Sequence, residues 1–258
     1  MTTYIYTGLA LIAFAGNSVL CRLALADNLM DASSFTTVRL VAGMLVLFLL
    51  IKQTKANPAQ AQPTSKKPSY INWLGAIALF IYALSFSWAY IQLDTGTGAL
   101  VLFAAVQISM LLYAIYSGER LNKTSVVGFL LAVAGFAYLV SPNLTSPSLI
   151  GFILMTISGI AWAAYTLLGK GANNPLIDTA NNFIKTLPLV GLLTILVYLF
   201  AHDSINISST GLILAITSGA ITSAIGYAIW YAALKNLTAT NAAVLQLLVP
   251  VIAAIGGI

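Results

Sequence analysis

Apolar stretches long enough to cross a bilayer recur along the chain, at 4–25, 33–51, 70–92, 97–117, 124–140, 149–169, 177–201, 211–234 and 241–258. Each is continuous and lacks the period-two alternation of barrel strands, so the pattern predicts helices. Short polar breaks divide them: Asp27-Asn28 with Asp31, Asp94-Thr95-Gly96, Gly118-Glu119-Arg120, Ser141-Pro142-Asn143, Asn173-Asn174-Pro175, His202-Asp203-Ser204 and Lys235-Asn236. The one long connection, 52–69, carries Lys52, Lys55, Lys66 and Lys67 among Pro58, Pro63 and Pro68, and reads as a flexible surface linker. At about 20 residues per span, the chain has room for nine or ten spans joined by short loops. The pattern is that of an all-α polytopic membrane protein.

Composition removes the soluble alternatives. Of 258 residues, 60% are hydrophobic and only 7% charged, against about 25% charged in soluble domains. A cytosolic enzyme and a disordered chain are excluded. The net charge of +5 is dispersed, with several basic residues inside apolar runs, so no nucleic-acid partner is expected. One cysteine, Cys21, excludes an internal disulfide or a cysteine zinc site, and one histidine, His202, excludes a multi-histidine metal centre. No cofactor or metal is expected. Ala24-Leu25-Ala26 resembles a signal-peptide cleavage site, but Met1–Tyr6 holds no basic residue and Arg22 sits just before the cut, so the first run is kept as a helix.

The lysines of 52–69 place that loop in the cytoplasm by the positive-inside bias, and with it the N-terminus. Arg120, Lys123, Lys170 and Lys235 then fall on the same side, while Asp27, Asp31, Asp94 and Asp203 lie outside.

Self-comparison exposes an internal repeat. Residues 82–93 lie over 223–234 without a gap, matching Ala83 with Ala224, Phe86 with Tyr227, Tyr90 with Tyr231 and Leu93 with Leu234. The first run lies over the sixth with Gly8 on Gly151 and Gly16 on Gly159. The offsets are steady, 143 residues from Gly8 to Gly151 and 141 from Leu93 to Leu234. The expected units are 1–140, with five helices, and 149–258, with the visible part of a second five. An odd number of helices per unit inverts the second unit in the membrane, and the swap of Asp94 for Lys235 at matched positions agrees. Inverted repeats are a common build of secondary transporters, with the solute site near mid-membrane between the halves.

Several motifs resemble a known family. Ser117-Gly118-Glu119-Arg120-Leu121, followed by Gly128 and Gly135, is similar to the Gly-Glu-Arg signature of the EamA-type drug/metabolite transporters. Leu93–Ala99 leading to Val106-Gln107-Ile108-Ser109-Met110 resembles a bacterial branch of that family, as do Gly226–Leu234, Ala242-Ala243 and Pro250-Val251. The resemblance spans essentially the whole chain. It implies ten helices in two EamA repeats, both termini cytoplasmic, in a bacterial inner membrane. It also implies movement of small metabolites, often amino acids or their relatives, outward. The family pattern continues past Gly256-Gly257-Ile258 with a tenth helix, so about 25 to 30 further residues are expected at one span's length plus a turn.

Charges within spans are the first candidates for a solute site. Arg39 and Lys185 lie in corresponding helices of the two units, 146 residues apart, and no carboxylate lies at comparable depth in the nine runs. They either attract an anionic group such as a carboxylate or snorkel to an interface. Arg22, nearer an end, is expected to reach toward Asp27. Trp88, Trp162 and Tyr227 are candidates for an aromatic cavity wall, whereas Tyr90 and Tyr231, nearer helix ends, suit the interfacial belt. Asn17, Gln107 and Gln246 are isolated amides that would be costly facing lipid, so they point inward. Pro188 and Pro250 are expected to kink their helices, and Ser218, Gly219, Ser223 and Gly226 to permit close helix contact.

Together these residues point to a secondary transporter moving an amino acid or related solute by alternating access. The visible spans hold no intramembrane acid, which favours facilitated diffusion or exchange unless the expected tenth helix supplies one. The alternatives are a non-transporting membrane scaffold or sensor, and an intramembrane lipid-modifying enzyme. The second lacks the paired carboxylates or nucleophile and base it would need, and no catalytic residue is assigned.

Overall fold

The computed structural model describes residues 2–54, 71–118, 126–128, 130–131, 134, 148–170, 172 and 174–256. Eight helices among them are long and apolar enough to span a membrane. They are α1 (Thr2–Ala26), α2 (Ala32–Thr54), α3 (Ile71–Tyr90), α4 (Thr95–Tyr116), α5 (Leu149–Gly169), α6 (Pro175–Phe200), α7 (Ser209–Leu234) and α8 (Ala239–Gly256). The chain is an all-α, multi-pass membrane protein. The described residues of the predicted fifth run, at 126–128, 130–131 and 134, are helical. The rest of that run, Glu119 and Arg120 of the Gly-Glu-Arg motif, and the linker 55–70 lie outside the described residues.

The polar breaks become helix starts because their side chains satisfy the orphan N–H groups of a first turn. Asp31 Oδ1 accepts from Ser34 N at 2.9 Å, Ser208 Oγ from Gly211 N at 3.0 Å and Thr238 Oγ1 from Asn241 N at 3.0 Å. Asn174 accepts from Ile177 N, with Pro175 at the first position of α6, where a missing N–H costs nothing. The two internal prolines behave differently. Pro250 is buried, and α8 breaks at Leu247 because a proline cannot donate to the Gln246 carbonyl four residues back. Pro188 is exposed, and α6 runs through it as one helix from Pro175 to Phe200.

The helices close into a ring in which each packs on the next: α1, α8, α4, α5, α3, α6, α2, α7 and back to α1. Their two ends differ in charge. One end carries the start of α1, Lys52, Lys170 and Lys235, and there Asn236 Nδ2 donates to Thr3 Oγ1 at 3.2 Å. The other carries Asp27, Asp31, Asp94 and Asp203. At this acidic end the α1–α2 and α6–α7 connections are strapped together. Met30 pairs with Ile207 as an antiparallel bridge, Asp31 N donates to Asn206 O at 2.9 Å, and Ser208 N to Leu29 O at 2.8 Å. Arg22 closes the same end against Asp94, 3.2 Å away, and donates to the Tyr90 carbonyl at 2.9 Å. Its partner is thus Asp94, on the neighbouring α3–α4 turn that faces it, and not Asp27, which follows on its own helix.

α7 is not a uniform α-helix. Residues Ser218–Ile225 wind as a π-helix between α-helical Ser209–Thr217 and Gly226–Leu234. Here the small residues read from the sequence do their packing. A Cβ added to Gly219 would overlap the backbone carbonyl of Arg39, and one on Gly226 would stand 2.8 Å from Ala13 Cβ. α2 and α7 therefore meet backbone to backbone at Arg39.

Gly219→Ala is expected to destabilise the protein by about 1–3 kcal/mol through overpacking. Gly191→Ala on α6, where an added Cβ meets nothing within 4 Å, should stay within about 0.5 kcal/mol of the parent. Detergent-titrated unfolding of both variants measures the difference.

Candidate functional site

Arg39 sits about two turns into α2 from the acidic end. It is the one fully buried charged side chain among the described residues. Its guanidinium lies between α3 and α7. Nε donates to Ser223 Oγ at 3.1 Å and Nη2 to Tyr227 OH at 3.1 Å. The same group stands 5.2 Å from the Tyr82 ring centroid and 5.1 Å from that of Phe86, so two aromatic faces take up part of its charge. Nη1 is buried and has no acceptor among the described residues. No buried carboxylate accompanies it among the described residues. A buried cation without a counter-ion carries a desolvation cost of several kcal/mol, against which the two hydroxyl acceptors and the rings act.

The phenols around Arg39 form a chain. Tyr227 OH lies 3.3 Å from Tyr82 OH, and Asn17 Nδ2 donates to Tyr82 OH at 3.1 Å. The Asn17 carbonyl oxygen accepts from Ser218 Oγ at 2.6 Å and from Thr222 Oγ1 at 3.3 Å. Asn17 thus ties α1 to α3 and to the π-helical turns of α7. Trp162 of α5 packs on Tyr82 at 4.9 Å and on Tyr227 at 4.7 Å between centroids, with Phe14 edge-on to it at 5.1 Å. Its indole N–H donates to Gln246 Oε1 at 2.8 Å, which brings α8 into the same cluster. Gln246 in turn donates to the Ala242 carbonyl at 3.1 Å.

The structure therefore gathers Arg39, Asn17, Trp162, Tyr227 and Gln246 around one centre. Gln107 is also fully buried, but its amide finds no partner among the described residues. It borders Gly128 of the fifth run, whose added Cβ would stand 3.5 Å from Gln107 Nε2. Two candidates stand elsewhere. Trp88 is 46% exposed, because it sits two residues, about 200° of helix, from the inward-facing Phe86; Tyr82 and Phe86 supply the α3 wall in its place. Lys185 is only partly buried and lies off the inward face of α6 formed by Phe183, Thr186 and Val190. Their place in corresponding helices does not give Arg39 and Lys185 equivalent surroundings.

Tyr90 and Tyr231 are corrected in the opposite direction, from interfacial belt to interior. Both are buried, 0% and 2% exposed, and their hydroxyls donate to the Thr95 and Tyr165 carbonyls. Each ring lies against a glycine, Gly98 and Gly169 respectively, where a Cβ would overlap it. Those glycines were the available signal, since a large ring near a helix end stays inside only where the neighbouring helix makes room. Tyr82 and Ser223 drew no attention as site residues because a tyrosine and a serine among apolar neighbours carry no distinctive pattern.

Residues 1–141 and 149–258 match the family described as EamA-like transporter family. A Pseudomonas aeruginosa protein without an assigned function is 47% identical over 257 residues, covering 99% of this chain and 85% of that protein. An Escherichia coli protein named a probable amino-acid metabolite efflux pump is 26% identical over 176 residues, 62% of this chain and 57% of the pump. A solved crystal structure at 18% sequence identity superposes with a TM-score of 0.69, covering 96% of this chain and 86% of that one, so the two share a fold.

Asn17→Ala removes the acceptor of the buried Ser218 hydroxyl and the amide donor to Tyr82 OH, and is expected to cost about 1–3 kcal/mol of stability. Trp88→Leu, on the outer face, should change stability by less than about 0.5 kcal/mol. Detergent-titrated unfolding separates the two, and equal losses would contradict the placement of these side chains.

Proposed function

The chain belongs to the EamA-like transporter family, and from that premise we propose that it moves an amino acid or related organic solute outward across the bacterial inner membrane. The mechanism is alternating access between two inverted repeats, with Arg39 and the aromatic cluster around it as the solute site. The observation that carries this reading is Arg39 itself, a fully buried guanidinium with a free Nη1 and no buried acid beside it among the described residues. An anionic group entering the site would supply the missing counter-charge.

The helix ring supports the two-repeat reading. Exchanging α1 with α5, α2 with α6, α3 with α7 and α4 with α8 leaves every neighbour relation of the ring unchanged. That is the arrangement expected of two equivalent halves related by a two-fold axis in the membrane plane. Arg39 bridges them, on α2 of the first half and bonded to α7 of the second. The name of the Escherichia coli relative supports an amino-acid-like solute and outward movement. The lysine-bearing end, where α1 begins, is the cytoplasmic one by the positive-inside rule. The acidic end is then external, and its strap between 27–31 and 204–208 closes the external side in this conformation.

Two experiments test the reading. The purified protein in proteoliposomes is assayed for counterflow of a panel of amino acids, amines and organic acids. Solute-dependent exchange is expected, and Arg39→Gln should reduce it at least about ten-fold, the size of one lost charge-assisted hydrogen bond. A panel without any exchange would overturn transport. For alternating access, Met30→Cys and Ile207→Cys are combined in a Cys21→Ala background. Directly opposed antiparallel residues lie within disulfide reach. Oxidation should arrest exchange and reduction restore it; full exchange through the cross-linked protein would remove the strap as a gate.

A further inference from the structure

Hydrogen-bond donors outnumber acceptors around Arg39, and the excess can be located. Arg39 Nη2 and Asn17 Nδ2 are donor-only groups that point into the two ends of the pair formed by Tyr227 OH and Tyr82 OH. The orientation of Asn17 follows from its other side, where Ser218 and Thr222 hydroxyls both approach its oxygen. Two phenol protons remain to be placed and the pair has one internal link, Tyr227 to Tyr82 at 3.3 Å. Whichever phenol donates in that link, the proton of the other has no acceptor among the described residues. Nη1 of Arg39, also without an acceptor among the described residues, belongs to the same cluster, and its guanidinium stands 5.2 Å from the Tyr82 ring. Tyr82 and Tyr227 are both fully enclosed, at 4% and 0% exposure. Bulk water is therefore kept from serving these groups.

An enclosed cluster with a positive charge, at least two kinds of unsatisfied N–H or O–H group and, among the described residues, no carboxylate or unpaired amide oxygen is complementary to a group that is negatively charged and accepts on two atoms. A carboxylate meets both conditions. A primary amide replaces one acceptor by a donor and would set N–H against N–H. An ammonium group would face a guanidinium. We propose that the Tyr82–Tyr227 pair is a second prong of the solute site. In it, Arg39 Nη1 holds one oxygen of a solute carboxylate and the spare phenol proton holds the other, so that acids are selected over their amides. This rests on the reading of the Arg39 cluster as the solute site and adds the residue pair and the group it selects.

The proton count makes an unusual prediction about mutants. Tyr82→Phe leaves Tyr227 accepting from Arg39 with its own proton spare, and Tyr227→Phe leaves Tyr82 accepting from Asn17 with its own proton spare. Each single variant keeps one phenol donor, and only the double variant has none. The two substitutions are therefore strongly non-additive, which loss of packing at two rings would not produce.

Thermal unfolding of the purified full-length protein in detergent is followed with leucine, phenylalanine, threonine and serine, and with the four corresponding carboxamides. The acids are expected to raise the unfolding midpoint in a saturable way and the amides to act at least about ten-fold more weakly, as for one lost charge-assisted hydrogen bond. Each single phenylalanine variant should retain that discrimination with apparent affinity changed by only a few-fold, and the double variant should lose it. Amides as effective as acids, no stabilisation by any acid, or a double variant equal to the sum of the singles would each overturn the proposal. If acids stabilise selectively while proteoliposome counterflow fails, the transport reading falls and the site stands. If counterflow proceeds and amides compete as well as acids, transport stands and the site falls.

Discussion

A fully buried guanidinium with no buried carboxylate beside it among the described residues constrains everything around it. Arg39 cannot release its proton, so its charge must be met by neutral acceptors and by aromatic faces. Ser223, Tyr227, Tyr82 and Phe86 occupy those positions, and they come from helices in both halves of the chain. Bringing α7 near enough requires glycine at position 219, because the two backbones touch there. The close crossing of α2 and α7, the hydroxyls of α7 and the ring stack of α3 are parts of one solution to one buried charge.

The π-helical turns of α7 belong to the same solution. Winding Ser218–Ile225 at more residues per turn changes which side chains share a face. With that winding, Ser218 and Thr222 reach Asn17 while Ser223 and Tyr227 reach Arg39. Asn17 and Arg39 are thereby held to one short segment from two sides, by α1 and α2. Any ligand that competes for Arg39 also acts on the segment that secures α1, which couples occupancy of the site to the packing of the halves.

The two ends of the ring are closed in different ways. At the acidic end, backbone pairing between two loops and the Arg22–Asp94 pair span the bundle. At the basic end, among the described residues, Asn236 and Thr3 join α1 to the α7–α8 turn. Backbone bonds in an exposed strap break and re-form with little change in the helices they connect. The cluster at Arg39 is sequestered from both ends in this conformation.

Much of this was legible from residue order. Spans, their limits and the sorting of charges follow from one-dimensional patterns, because a bilayer demands long apolar runs and each polar break caps the next helix. The inward direction of the amides Asn17, Gln107 and Gln246 also follows from the cost of facing them to lipid. Which of these meet was not legible. Trp88 and Phe86 are two residues apart and equally apolar, and only the rotation of α3 against α5 and α6 sends one outward and the other to Arg39. Lys185 lies in the helix that corresponds to that of Arg39, yet the face it occupies on α6 depends on how that helix is turned. Tyr90 and Tyr231 looked interfacial until glycines on neighbouring helices gave their rings a place inside. The sequence by itself determined that this is a bundle of membrane-spanning helices with basic side chains inside its spans, and left open whether Arg39 turns inward or snorkels to an interface. The tertiary structure decided which hydroxyls and rings meet that cation, because helix rotation and the π-helical winding of α7 arise from packing and leave no periodic trace in the residues.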